Sequence, residues 1–223
     1  MAQTWHDLLF AHWPAAPDRV RHLVPRELPL DTFHDAAWVA IAPFHMSGIR
    51  ALGMPPIPGF SRFPELNVRT YVKLDGKPGV YFFSLDVTNR AAVWAARTFY
   101  HLPYYLANMQ VTVSGDKVDY FSQRLSSAAE LRIKYWPTSP VRLRERGSIE
   151  HWLTERYCLY TIAHNKVFRA EIHHVQWPLQ DAAAQIENHS MAFAAGISLP
   201  ASKPLLHFSK RLDVLVWPLR QVR

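Results

Sequence analysis

The chain has 223 residues, 25 Lys+Arg against 18 Asp+Glu for a formal charge of +7, and an apolar fraction of 49%. That length suits one domain, residues 1–223, with a sizeable core, and a charged fraction of 19%, below the usual value of about 25%, argues against disorder. A lone cysteine, Cys158, excludes an intramolecular disulfide and thiol-rich metal sites, and with no leader-like N-terminus and no long apolar run it points to a cytoplasmic protein without a membrane partner.

In chain order, Ala37–Phe44 alternates large and small residues at period two and is expected to be a strand. The proline-rich stretch Met54–Phe60 reads as an ordered extended loop. Asn67–Val87 reads as a hairpin turning at Asp75–Gly79. Asn89 is placed to cap a helix through Ala91–Ala96 that Pro103 ends, and a second hairpin turns at Ser114-Gly115-Asp116. Glu130–Trp136 alternates as a strand, and Ser148 opens a short helix to Glu155. The segments VFRAEIHHVQW and LDVLVW return to strand chemistry, while Asp181–Ala195, rich in alanine, reads as helical. The expected class is α+β: a mainly antiparallel, curved, barrel-like sheet with a few peripheral helices.

Several chemistries are excluded by spacing. No two of the eight glycines stand two apart and none precedes Lys-Ser or Lys-Thr, so neither a dinucleotide fingerprint nor a phosphate loop can be written. The twelve histidines contain no H-E-x-x-H, and the adjacent pair His173 and His174 would point to opposite faces of a strand, so neither a metal nor any other cofactor is expected. Basic residues are scattered. The densest set, Arg142, Arg144 and Arg146, is interrupted by Glu145 and reads as a solvated edge or loop rather than a nucleic-acid track.

The stretch Phe63–Val72 is the most informative. As a strand it places Glu65, Asn67, Arg69 and Tyr71 on one face and Leu66, Val68, Thr70 and Val72 on the other. From pattern alone the polar face is expected to be the exterior, with the lining of a ligand cavity as the alternative. Glu65 and Arg69 fit either a structural salt bridge or an acid–base group beside a carboxylate clamp.

The segments TWHDLLFAHWP, VRHLVPRELPLDTF, AWVAIAPFHM, FPELNVRTYV, GVYFFSLD, HLPYYLANM, TERYCLY, IHHVQWPLQ and LLHFSKRLDVLVWP together resemble the YqjF-like family of bacterial proteins, a distant branch of the acetoacetate-decarboxylase-like superfamily. The resemblance implies a curved, barrel-like antiparallel fold and assembly into homo-oligomers. Acetoacetate decarboxylases carry Pro-Lys-Lys, whose first lysine forms a Schiff base and whose second lowers its pKa. Arg97, Pro103 and Ala107 keep their places here, but Tyr104 and Tyr105 stand where the lysines belong. A phenol cannot form an imine.

The superfamily also carries a cavity glutamate, which matches Glu65. The resemblance therefore implies a small-molecule protein with Glu65 as catalytic acid or base and Asn67, Arg69, Tyr71, Tyr104 and Tyr105 as binding residues, acting by proton transfer on a small carboxylate or carbonyl compound. Other readings stand beside it: a non-catalytic ligand-binding or oligomeric interaction module that keeps the fold without the chemistry; a packed core without a ligand, in which Tyr104 and Tyr105 fill the old cavity; and, less favoured, a nucleic-acid binder.

Overall fold

Residues 1–56 and 61–223 are described by the computed structural model. Runs of alternating or continuous apolar residues become strands, and tight turns with positive φ join them. The first elements are β1 (Ala2–Ala15), α1 (Pro17–Arg21), β2 (Ala37–Arg50), β3 (Phe63–Leu74) and β4 (Lys77–Val87). β3 and β4 turn at Asp75 and Gly76, with φ of 49° and 79°, the pairing of left-handed residues that a two-residue hairpin requires. Lys77, Pro78 and Gly79 thus belong to β4 rather than to the turn.

α2 (Arg90–Phe99) begins where expected, the Asn89 side chain accepting from the Ala92 amide at 3.1 Å. Then follow β5 (Tyr104–Ser114), β6 (Lys117–Arg124), β7 (Glu130–Pro137), α3 (Ile149–Thr154), β8 (Cys158–Ala163) and β9 (Lys166–His173). α3 is capped by Ser148, which accepts from the His151 amide at 3.2 Å. The chain closes with β10 (Gln180–His189), α4 (Met191–Ala194), β11 (Leu205–Val216) and β12 (Arg220–Gln221).

β10 corrects the helical reading of Asp181–Ala195. Ala182–Ile186 pair with Pro137–Ile133 of β7, and that ladder outweighs the helix propensity of three consecutive alanines. Only Met191–Ala194, at the end of the segment, is helical. Of the proline-rich loop, Met54–Pro56 is irregular and its remainder lies outside the described residues. Arg142 makes one isolated bridge to Leu179, and Arg144 pairs with Asp181, so this basic stretch is a tethered loop.

Among the described residues the strands form one sheet in the order β12-β9-β8-β4-β3-β2-β1-β11-β10-β7-β6-β5. Two further pairings, β9 with β11 and β4 with β5, close it into two rings that share β4, β3, β2, β1 and β11. The sheet is mainly antiparallel; β4 runs parallel to both β8 and β5. Strands in the shared wall have a core on each side. In β3, Leu66, Val68 and Val72 enter one core with Tyr120 and Ile133, while Tyr71 enters the other with Phe82 and Trp177. No described helix is long and apolar enough to cross a membrane.

Two irregularities aim side chains at the second core. Asp7 has φ of 48°, and the β1–β2 register shifts beyond His6, so Trp5 and then Leu8 and Phe10 share one face despite their odd and even numbers. The Tyr135 hydroxyl donates to the Asp7 carbonyl at 2.7 Å and holds this bulge. The β3–β4 register shifts between Val68 and Arg69, which puts both Phe82 and Leu85 on the same side.

Candidate functional site

β4 forks. Val80 and Tyr81 pair with Leu159 and Tyr160 of β8, while Leu85–Val87 pair with Tyr104–Leu106 of β5. Beneath the fork, inside the ring that contains β8 and β9, lies a cavity of about 440 Å³ lined by Glu65, Asn67, Arg69, Phe82, Leu85, Tyr104, Arg156, His174 and Trp177, among others. Its wall is apolar with a few convergent polar groups, the usual make-up of a small-molecule site. Ala91, Ala92, Ala95 and Ala96 of α2 border it, as do Arg50 and Ala51 at the end of β2.

The expectation that the polar face of β3 is the exterior is therefore reversed. Glu65, Asn67, Arg69 and Tyr71 are 5%, 4%, 8% and 0% exposed, because β3 sits in the wall shared by both rings and has no outer face. The cavity beside Tyr104 is open space, so the two tyrosines do not fill it.

Cross-strand pairing sets the geometry around Glu65. Asn67 pairs with Leu85 and Leu85 with Tyr104, so Asn67, Leu85 and Tyr104 all face the cavity and the Tyr104 hydroxyl donates to Glu65 Oε2 at 2.8 Å. Arg97 Nε donates to the Tyr104 carbonyl at 2.7 Å and fixes its backbone. Burial pushes the Glu65 carboxyl up to about 7, against the hydrogen bonds from Tyr104 and Asn67, which favour the ionised form. Burial and the neighbouring Glu65 hold the Tyr104 phenol well above its ordinary value, so it remains a donor.

Arg69 lies farther along β3. Its guanidinium carbon is 5.1 Å from the centroid of Phe10 and 5.9 Å from that of Tyr71, and its buried Nε has no acceptor. Among the described residues no carboxylate pairs with it. Glu65 and Arg69 do not form the salt bridge that their spacing allowed. Arg156, which the sequence reading did not select, also lines the cavity; it pairs with Asp31, donates to the Trp152 carbonyl at 2.7 Å and leaves one buried nitrogen unpartnered. It follows α3 in an irregular segment, where no periodicity could have flagged it. Glu155 accepts from the Trp177 amide at 2.9 Å and so ties Trp177 to this segment.

The remaining two candidates sit elsewhere. Tyr71 points into the core behind Arg69, its hydroxyl 2.7 Å from His12 Nε2, and is not on the cavity wall. Tyr105 pairs with Asp86 and turns to the opposite side, its ring 3.9 Å from the Arg124 guanidinium carbon. Consecutive strand residues face opposite ways, so Tyr104 and Tyr105 cannot both reach the cavity. No metal-holding group of His, Cys, Asp and Glu occurs among the described residues.

Residues 2–213 match the DUF2071 family, described as an uncharacterised conserved protein. The chain belongs to this family. It is 50% identical over 222 residues to the uncharacterised protein YqjF of Bacillus subtilis (strain 168), covering 99% of this chain and 92% of the relative. Its fold is that of the acetoacetate decarboxylases. The enzyme from Legionella pneumophila superposes with a TM-score of 0.67 at 14% identity, covering 100% of this chain and 87% of that one. The enduracididine biosynthesis enzyme MppR, complexed with pyruvate, gives 0.66 at 12% identity over 99% and 89% of the two chains. An acetoacetate decarboxylase-like enzyme from Sphingomonas wittichii RW1 gives 0.66 at 9% over 100% and 92%. Identities this low establish the shared fold and leave the chemistry to the residues of the cavity.

Proposed function

We propose that this DUF2071 member is a small-molecule enzyme that moves a proton next to a carbonyl group in the cavity beneath the β4 fork. The observation that carries the reading is a buried carboxyl, Glu65, held by Tyr104 at 2.8 Å on the wall of an otherwise apolar cavity. A carboxyl raised to about 7 is matched to acid–base work near neutral pH. The described residues lining the cavity include no lysine, so the imine route of the decarboxylases lacks its side-chain amine here.

In the proposed step Glu65 takes the proton as the C–H bond next to the carbonyl breaks, and the electron pair moves onto the carbonyl oxygen. Tyr104, released from a Glu65 that has just been protonated, and the Asn67 amide are the donors for that oxygen. Arg69 holds the carboxylate end of the substrate.

Solvent-deuterium incorporation tests this directly. Keto acids of graded chain length, incubated with the full chain in heavy water, are expected to exchange the hydrogens next to the carbonyl. Glu65→Gln should slow exchange by about a hundredfold or more. Tight binding of an acid with no exchange above background identifies the non-catalytic module instead.

A further inference from the structure

Three features of the cavity together specify the shape and charge of its occupant. The first is an uncompensated cation. Arg69 is 8% exposed, its Nε has no acceptor, and no carboxylate among the described residues pairs with it. A buried guanidinium without an anion is strongly disfavoured, so a fold that keeps one on a cavity wall is completed by an anion that enters the cavity.

The second is distance. Glu65 and Arg69 are separated by four residues of extended strand, about 13 Å at roughly 3.3 Å per residue. Their side chains also diverge: Glu65 reaches Tyr104 on β5, while Arg69 turns toward Phe10 and Tyr71. A short keto acid, whose carboxylate and carbonyl are neighbours, cannot engage both ends at once. The third is the apolar wall: Leu85 and Phe82, paired with Asn67 and Arg69, run along the span between the two ends, and Phe44, Phe63 and Trp177 line the same cavity of about 440 Å³.

We infer that the cavity takes an elongated monocarboxylic acid: the carboxylate on Arg69, an unbranched apolar body along the aromatic wall, and a carbonyl or hydroxyl oxygen at the far end beside Glu65 and Tyr104. The inference builds on the acid–base reading above by naming its substrate class. Arg156, already paired with Asp31, supports the charged end without supplying the missing anion.

Binding to the full chain, followed by calorimetry and by the fluorescence of Trp5 and Trp177, which both line the cavity, tests it with butyrate, decanoate, decanol and the ω-hydroxy derivative of decanoate. Decanoate is expected to bind more than about tenfold tighter than butyrate, through the added buried methylenes, and about tenfold or more tighter than decanol, through the charged hydrogen bonds. Arg69→Met should remove the preference for decanoate over decanol, and the ω-hydroxy acid should gain over decanoate in the native chain but not in Glu65→Leu. Arg69→Met deletes a buried unpaired charge, and Arg69→Lys, which keeps the charge and should keep part of the preference, serves if the Met variant does not fold.

Butyrate binding as tightly as decanoate overturns the elongated class. An unchanged decanoate preference in Arg69→Met overturns the anion anchor. Deuterium exchange of short keto acids alongside failed decanoate binding leaves the acid–base reading in place and ends this one. Decanoate binding without any exchange does the reverse.

Discussion

The proposed acid–base role of Glu65 is coupled to folding through its burial. Its carboxyl rises from 4.5 to about 7 in the folded chain, so the unfolded chain ionises first. Below about pH 4.5 the group is protonated in both states and costs nothing; as pH rises from 4.5 to about 7 the folded chain alone retains the proton, and stability falls by on the order of 3 kcal/mol. The buried histidines His12, His174 and His207, lowered by desolvation, act oppositely: they stabilise above their unfolded value, and that contribution is lost as pH falls. The difference in urea-unfolding free energy between Glu65→Gln and the native chain cancels the histidines, and it should grow in favour of the variant across that window. Tyr104→Phe removes a hydrogen bond that favours the ionised carboxylate, so the acidic limb of the exchange rate against pH should move above about 7.

At the scale of elements, the site depends on the β4 fork, and Gly79 lies at its base. A Cβ there would stand 2.7 Å from Cys158 Sγ and from Tyr160 Cε2, and 2.8 Å from the Cys158 carbonyl. The backbone carbonyl cannot rotate aside as a flexible side chain would, so Gly79→Ala is expected to cost about 1–3 kcal/mol, measured as a fall in Tm, through loosening of β4 against β8. Several elements were legible in the sequence: both hairpins, α2 with its Asn89 cap and α3 with its Ser148 cap are present, the first hairpin with a shorter turn than expected, although β1 and β8 have no counterpart among the expected elements. β10 was not, because three alanines carry a helical preference that only the β7 ladder overrides. Alternation alone could have separated Tyr104 from Tyr105. The bulge at Asp7 gave no comparable signal, since a non-glycine residue at positive φ is imposed by its surroundings.

At the scale of the whole molecule, a buried ion pair ties the shared wall to the far side of the ring that contains β5, β6, β7 and β10. Arg124 donates from Nε to Asp86 Oδ1 at 2.7 Å and from a terminal nitrogen to Oδ2 at 2.8 Å, with both side chains 5% exposed or less. It links β4 of the shared wall to β6, and Tyr105 stacks over the guanidinium. Removing one partner leaves the other charge buried, so Asp86→Ala is expected to cost about 3–5 kcal/mol, whereas Asp86→Leu combined with Arg124→Met should recover most of it; chemical denaturation of the two variants distinguishes these outcomes. The same shared wall explains the reversed reading of β3. A polar face on an antiparallel strand is ordinarily the wet one, and nothing local to Phe63–Val72 says that a second ring covers it.

Composition and spacing by themselves determined the class of the fold, the hairpins and capped helices, the absence of phosphate-loop motifs, and the alternation that sets Glu65, Asn67 and Arg69 on one face. These follow from backbone geometry and turn chemistry, which act over a few residues. Only the tertiary structure decided that this face is the inside of a cavity, that Tyr104 lines it while Tyr105 and Tyr71 do not, that Arg156 joins it from a distant segment, and that no carboxylate among the described residues pairs with Arg69. Those outcomes depend on how the twelve described strands close into two rings, a set of long-range pairings that no local pattern encodes. The surplus of positive charge follows the same division: its size, +7, is a property of the sequence, but that Arg69 is buried on the cavity wall with no carboxylate partner among the described residues is visible only in the fold.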